Sequence, residues 1–384
     1  MATGYSVAAY GEMVTNTPRM SAYDAALRQA ITPGCTVLDI GAGPGIFALL
    51  ACKYGAGHVY AIDPDPSIEI ARQSAIDNGF ADRITFVKDL STAFTPPRKA
   101  DVIVSDLRSV LPLFEYHIPT VVDARARLLT PEAAMIPRAD TIHAAVVESA
   151  EAAQYHHEPW AVNGFDLDLQ AGHRFAVSVW RRGQFRPEAL LTDPQVFTRL
   201  DYRTITEVNQ RATLDWVARR PGTAHGLILW FDADLAEGIG FSNAPGAPKL
   251  IYGQAFFPLA APVALAEGDR ITADISATFM EGKYIWSWTT QLAPADAPAP
   301  VARMRQSTFQ AKVFEHDRLV LSNPAYCPPR RESQAIDAFI LARFDGQTDL
   351  ATIAAALRRS WPARFADDTA AREHVSGVAA RYHA

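Results

Sequence analysis

Two carboxylates, Asp106 and Glu115, stand nine residues apart in the stretch SDLRSVLPLFE, residues 105–115. Between them lie mostly apolar residues and one arginine, Arg108. Paired acids around an apolar loop suit the grip of a cation. Taken alone, the same residues also fit a helix-capping Asp106 and a surface Glu115.

A second constellation is VLDIGAGPG, residues 37–45, where Gly41, Gly43 and Gly45 follow a buried apolar run. Glycine permits positive φ and close approach of the backbone to a ligand. Asp63, at the end of the next apolar run, can accept hydrogen bonds from ribose hydroxyls. This layout serves nucleosides. A dinucleotide loop reads GxGxxG, whereas here Asp39 stands two residues before the first glycine. That arrangement resembles motif I of class I S-adenosylmethionine-dependent methyltransferases. FVKDL, with Asp89 and Leu90, falls where that family places its adenine-side loop.

These residues need elements to hold them. Residues 20–30 read as a helix. VLDI, HVYAIDPD, RITFVKD and ADVIVSD read as strands, alternating with helices at 46–54 and 67–79. Such alternation predicts a doubly wound parallel sheet, a Rossmann-like α/β domain over 1–137. From 138 to 292 the texture changes to short runs rich in Val, Ile, Phe and Trp, among them HGLILWFDADL and KYIWSWTTQL. These predict an all-β domain, an antiparallel barrel or sandwich. APADAPAP, 293–300, reads as a Pro/Ala linker. The region 301–384 then offers a hairpin at AKVFEHDRLVLS and three helices, Gln334 to Phe344, Thr348 to Trp361 and Asp368 to Tyr382. Leu350, Ile353, Ala354 and Leu357 share the core face of the middle helix, with Thr348 as its N-cap.

The bulk numbers bound the function. The 384 residues suffice for two or three domains, and the formal net charge of −6 argues against a general nucleic-acid binder. The three cysteines, Cys35, Cys52 and Cys327, are widely spaced and predict neither a disulfide frame nor a zinc site. No ligand cluster implies a metal. The opening MATGYSVAAYGEM has no basic region followed by an apolar run, and no run of 18 apolar residues predicts a membrane span. The expectation is a cytoplasmic protein. Its richness in arginine and alanine suggests a bacterial gene.

YGEMVTNTPRMSAY, VLDIGAGPGIFALLACKYGAGHVYAID, ADVIVSDLRSVLPLFE and RARLLTPEAAMIP resemble, in order and spacing, the protein arginine methyltransferases. HGLILWFDADL and GFSNAPGAP resemble segments of that family's C-terminal barrel, so the likeness covers roughly residues 5–292. It implies an opening helix that closes over S-adenosylmethionine. Tyr10, Met13 and Arg19 would fall on cofactor-contact positions, with Arg19 paired to the methionyl carboxylate. It also implies that Asp106 and Glu115 clamp a substrate guanidinium. Residues 161–196, with Asp168, His173, Trp180 and Phe185, would form an arm that makes a homodimer.

Three departures concern the acceptor side. Asp106 replaces the family's Glu, setting the carboxylate back by about 1.5 Å, one C–C bond. Arg108 stands within the loop, where it could compete with a substrate guanidinium or bind an acidic group. KLIYGQ replaces a Thr-His-Trp stretch, leaving Tyr252 as an aromatic wall. The third region, around FDGQTDLATIAAALRRSW, resembles small winged-helix domains of the PqqD-like type that capture leader peptides.

The resulting expectation is a methyltransferase acting on a side-chain nitrogen, arginine or another, of a peptide, including a ribosomal natural-product precursor. The alternative is a small-molecule N- or O-methyltransferase of secondary metabolism, with Arg108 clamping an acidic substrate. A binding protein without catalysis is the reading from a different class.

Overall fold

The computed structural model describes residues 5–161, 164–296, 299–313, 320, 323–329 and 331–382. It divides into two compact units, Met1–Lys312 and Val313–Ala384.

The first unit begins with two helices, α1 (Val7–Thr15) and α2 (Thr17–Ala30), rather than the single helix expected at 20–30. Asn16, between them, has φ −72° and ψ 86°, and Pro18 lies in the first turn of α2. Proline there needs no amide partner. α2 buries Arg19, Ala22, Tyr23, Ala26 and Leu27.

A five-stranded sheet follows, ordered β3–β2–β1–β4–β5, and every pairing in it is parallel. Its strands are β1 (Thr36–Ile40), β2 (His58–Ile62), β3 (Ile84–Val87), β4 (Ala100–Ser105) and β5 (Leu129–Ile136). β1 is buried at all five positions, as a central parallel strand covered on both faces must be. The strand order reverses direction between β1 and β4. Ligands of open α/β sheets bind in the crevice outside the carboxyl ends of the strands at such a reversal. The glycine loop leaves β1 at that point and the acidic loop leaves β4, so topology alone brings the two constellations together.

The remaining strands of this unit form two antiparallel sheets. One is ordered β7–β12–β10–β6–β8, with β11 on β10, and the other β15–β14–β13–β9. The relevant spans are β6 (Ala139–Val147), β7 (Arg181–Gly183), β8 (Gln195–Asp201), β9 (Gln210–Val217), β10 (Gly222–Ala236), β11 (Ile239–Ser242), β12 (Gln254–Leu265), β13 (Arg270–Met280), β14 (Lys283–Ala293) and β15 (Ala302–Ser307). The closed barrel expected from sequence is not formed among the described residues, because the edge strands of the two sheets do not pair. The linker expected at 293–300 also changes character. Ala293 closes β14, and β15 pairs back onto β14 from Ser287↔Ser307 to Leu292↔Ala302. The Pro/Ala stretch therefore joins neighbouring strands of one sheet, and the unit boundary falls after Lys312.

The expected arm also differs. Helix α6 (Ala150–Ala161) packs on α7 (Gln170–Ala176), with the Trp160 ring over Gly172 and a His157–His173 contact of 2.8 Å. Asp168 accepts from the Gln170 amide just before α7. Trp180 and Phe185, expected on the arm, instead stack on Phe257 and Phe256 of the β-sheet. The projecting helical pair thus begins at residue 150 and ends before β7.

The second unit holds helices Glu332–Leu341, Leu350–Ser360 and Asp368–Tyr382 around Ile336, Ile340, Ile353, Ala354, Leu357, Val375 and Val378. Leu350, expected in this core, is exposed. The N-cap is Asp349, whose carboxylate accepts from the Thr352 amide, and not Thr348, whose hydroxyl donates to Asp345. No strand of a wing occurs among the described residues of this unit, and most of the expected hairpin at 311–322 lies outside them.

Candidate active site

The glycine loop is held by its own backbone and two aspartates. Gly41, Gly43 and Gly45 have φ of 74°, 50° and 82°. Such angles disfavour side chains. A Cβ on Gly41 would lie 2.6 Å from Leu107 Cδ2, and one on Gly43 2.8 Å from the Tyr10 ring. Tyr10 of α1 therefore lies over the loop, and the loop abuts the residue after Asp106. Asp63 accepts from the amides of Gly43 (2.7 Å) and Asp65 (2.8 Å). Burial raises its pKa, against those two hydrogen bonds. Each oxygen keeps a further lone pair for a ribose hydroxyl.

Asp39, expected to contact the cofactor, instead lies buried beneath the loop and accepts from the Ala48 amide of α3 (Ile46–Lys53) at 3.0 Å. Burial pushes its carboxyl up to about 8. Asp89 and Leu90 follow β3 and are exposed at the same end of the sheet, with Asp89 accepting from the Leu90 amide. Met13 contributes its carbonyl, which accepts from Arg19 Nη1 at 3.2 Å.

Arg19 is only 4 % exposed and joins the two halves of the site. Its Nε and Nη2 each lie 2.7 Å from Asp106 Oδ2, and its Nε also reaches the Tyr252 hydroxyl at 3.0 Å. Tyr252 donates to the same Asp106 oxygen. Burial opposes the charge on Arg19, but Asp106 more than offsets it, so the guanidinium pKa is raised. Burial likewise opposes ionisation of Asp106, yet Arg19 and Arg108 hold its pKa below the ordinary value. Tyr252, expected as an acceptor wall, is buried, stacked on Phe241 and bonded to the acid.

Arg108 does not reach out of the loop as an acceptor clamp. Its side chain is fully buried, its Nη2 donates to the Tyr23 hydroxyl at 2.7 Å, and its Nε lies 3.3 Å from Asp140 and 3.7 Å from Asp106 Oδ1. Tyr23, Asp140 and Tyr202, which donates to Asp140, are site residues that sequence reasoning missed. The one signal was Asp140 itself, an acid at the start of an apolar strand.

Glu115 is exposed and has φ 38°, a conformation that a residue with a Cβ rarely adopts. The loop thus fixes Glu115 at some conformational cost. Its charge and that of Asp106 meet at Tyr5, whose phenol pKa is raised by burial first and then by these two carboxylates. Arg182 pulls the same phenol the other way. Asp106, Glu115 and Arg182 therefore all act electrostatically on Tyr5.

A glycine loop at the strand-order reversal, an acid on the next strand and a buried arginine define a nucleoside-binding site of the class I methyltransferase type. The donor set fits S-adenosylmethionine: carboxylates for ribose hydroxyls and a guanidinium for a carboxylate. Comparison with known proteins agrees. Residues 9–132 match the family model described as ribosomal protein L11 methyltransferase, and residues 138–283 match that described as arginine methyltransferase oligomerization subdomain. The chain is 33% identical over 271 residues to an arginine N(omega)-methyltransferase of Streptomyces achromogenes subsp. streptozoticus, covering 67% of this chain and 73% of that protein. It is 31% identical to a probable histone-arginine methyltransferase 1.3 of Arabidopsis thaliana, over 62% of this chain and 47% of that one. In fold it is similar to the Trypanosoma brucei PRMT1 enzyme–prozyme heterotetrameric complex with AdoHcy, at TM-score 0.72, 21% identity, 79% of this chain and 98% of that one. Arabidopsis thaliana protein arginine methyltransferase 10 gives 0.70 and 19% over the same shares. The chain belongs to the arginine methyltransferase family and is an S-adenosylmethionine-dependent methyltransferase. Among the described residues no group of three or more His, Cys, Asp or Glu could hold a metal, and no helix is long and apolar enough to cross a membrane.

Proposed function

We propose that this enzyme methylates a nitrogen of an arginine guanidinium. The observation that carries the reading is the pair of acids on the loop after β4 that both act on Tyr5: Asp106 ionised and buried beside Arg19, Glu115 exposed and held at φ 38°. S-adenosylmethionine supplies an electrophilic methyl when bound. Gly41, Gly43, Gly45, Asp63, Asp89 and Leu90 bind and orient it, Tyr10 covers the loop, and Arg19 offers its guanidinium to a carboxylate. Asp106 and Glu115 accept N–H bonds from the acceptor guanidinium and draw its charge toward two of its nitrogens. The third nitrogen keeps its lone pair less delocalised and faces the methyl. As the N–C bond would form, the bond from that methyl to the cofactor sulfur would break and leave the thioether, and the nitrogen would give up one proton, which Glu115 at the open side can pass to water.

The finer reading is an arginine carried in a peptide, ribosomal natural-product precursors included. Relatives whose names specify protein or histone arginine support it. A second reading, free arginine or another small guanidine, is favoured by Arg182. It is exposed, no hydrogen bond or ion pair of its side chain is formed among the described residues, and its Cγ and Nε lie 3.0 Å from where a Gly253 Cβ would be, next to Tyr252 in sequence. There it can meet a carboxylate, the role that buried Arg108 does not fill. We further propose a cytoplasmic homodimer of a bacterial enzyme, built through the α6–α7 pair, whose Tyr155 and Phe175 are exposed. Its three free cysteines fit a reducing compartment.

The test is incubation with S-adenosylmethionine and equimolar free arginine and arginine-, histidine- and lysine-containing peptides, with the methyl located by tandem mass spectrometry. Methyl on an arginine guanidinium is expected. Methyl on histidine, lysine or oxygen would overturn the reading.

A further inference from the structure

The acceptor chemistry above leaves Arg108 without a part, yet this arginine is buried, with Nη2 bonded to Tyr23 and with Nε and Nη1 lacking a hydrogen-bond partner. Its guanidinium lies 5.4 Å from the rings of Phe231 and Phe241 and 5.9 Å from that of Tyr23. Asp140 pairs with it, and Tyr202 donates to Asp140 from behind. A buried guanidinium gripped by three rings and a carboxylate has no room to swing toward solvent.

What it faces is the free oxygen of Asp106. Oδ2 is taken by Arg19 and Tyr252, whereas Oδ1 is buried with no hydrogen-bond partner and lies 3.7 Å from Arg108 Nε. Oδ1 is thus the oxygen with an unused hydrogen-bonding capacity, and Arg108 stands beside it. A second connection runs through the backbone. Arg108 donates to the Tyr23 hydroxyl, and that hydroxyl donates at 3.0 Å to the carbonyl of Ser105, the residue before Asp106. Arg108 therefore restrains Asp106 from both its carboxylate and its main chain.

We infer that Arg108, locked by Asp140 and Tyr23, is a positioning residue that fixes the Asp106 carboxylate for the acceptor. The inference rests on the reading of Asp106 as an acceptor acid. It gives the shorter side chain a physical context. An aspartate reaches about 1.5 Å less far than a glutamate, and alignment matters at about the 1 Å scale. A short acid clamped on both sides trades reach for fixity. Above about pH 6 the charges also balance: Arg19 and Arg108 are two cations against Asp106 and Asp140, and burial pushes the Asp140 carboxyl up to about 6. The other titratable groups facing this cluster are Tyr23, Tyr202, Tyr252 and His117, and burial holds His117 neutral with a pKa of about 4.

The experiment compares Arg108→Met, Asp140→Asn and the double variant, each assayed for melting temperature and for kcat and KM from about pH 3 to about pH 9, a range that spans the ordinary carboxylate pKa. Removing one partner of a buried pair strands the other, whereas neutralising both is often tolerated. The single variants are expected to melt lower and the double variant to recover most of that loss. In the double variant kcat should still fall roughly tenfold, as expected for an acid misaligned by a fraction of an ångström, with KM changed less. Arg108 holds the Asp106 pKa down, so its loss raises that pKa. Activity, which needs the ionised acid, should then begin at higher pH. Arg108→Lys, which keeps the charge, should leave the acid limb where it is. A folded double variant with wild-type kcat and an unshifted acid limb would overturn the inference, as would Arg108→Lys moving that limb as far as Arg108→Met does. Glu115→Gln, run in parallel, separates the two levels: if it retains full turnover, the two-acid reading itself has failed.

Discussion

The glycine loop after β1 and the acidic loop after β4 lie side by side, yet they are held in different ways. The first is tied down locally, by positive-φ glycines, by Asp39 reaching nine residues on to Ala48 and by Asp63 at the end of the neighbouring strand. The second is tied down by side chains from distant segments: Arg19 and Tyr23 from α2, Asp140 from β6 and Tyr252 before β12. A locally built loop keeps its geometry when distant residues change. A loop built from a buried ion network changes its chemistry whenever one member changes. The three departures from the family pattern all fall in the second loop or its network, while the cofactor loop keeps its motif.

Three substitutions would break or sharpen this contrast. The largest effect is expected at Glu115, which is exposed and outside the ion network. Glu115→Gln should cut kcat by roughly 10²–10³-fold, as for loss of one preorganised electrostatic partner, while the melting temperature stays unchanged. Steady-state rates and thermal melts check this, and an equal loss of stability would place Glu115 in the scaffold instead.

Gly43→Ala should come next. The new Cβ would meet the Tyr10 ring at φ 50°, and backbone strain of this kind costs about 1–3 kcal/mol. S-adenosylmethionine affinity, read by calorimetry, should fall about tenfold or more for every 1.4 kcal/mol. Acceptor binding should change much less.

The smallest effect concerns Asp39. Its folded pKa of about 8 stands above the unfolded value of about 3.9. Between those two values the native state binds more protons than the unfolded state, so stability falls as pH rises through the window and levels above it. Asp39→Asn should flatten that fall. Urea unfolding at pH 5, 7 and 9 reads the slope, and an unchanged slope would mean that Asp39 is ionised in the native protein.

The same contrast explains what the sequence made legible. The parallel strands and the glycine turn are written in runs of adjacent residues, since a buried central strand must be apolar throughout and a tight strand-to-helix turn needs glycine. Their starts were legible within about a residue, whereas the ends run long: HVYAIDPD reads as a strand through Asp65, but β2 stops at Ile62. The partners of the acidic loop were not, because Asp140 lies 32 residues beyond Arg108 in another sheet, and no local pattern announces a pairing across that gap. Arg108 therefore read as a free clamp, and Tyr23 as one more apolar position on a helix. Strand closure is equally non-local: alternating runs predict antiparallel strands but not whether the edges meet, so two sheets were read as a barrel. At Thr348 a good N-cap residue lost to its neighbour Asp349, whose carboxylate faces the Thr352 amide, while Thr348 was drawn to Asp345.

The central claim is that Asp106 and Glu115 still grip a guanidinium despite the shortened acid and the arginine beside it. The most direct measurement is calorimetric titration of the enzyme, saturated with S-adenosylhomocysteine, with arginine and with citrulline, its neutral near-isostere, each free and within one peptide. In whichever form binds, arginine should bind at least about 10²-fold more tightly than citrulline, since a site built for a charge leaves buried carboxylates unpaired against a neutral ligand. Glu115→Gln should erase most of that preference. Equal affinity for the two ligands in the wild-type enzyme would contradict the account and assign the altered loop to a different acceptor.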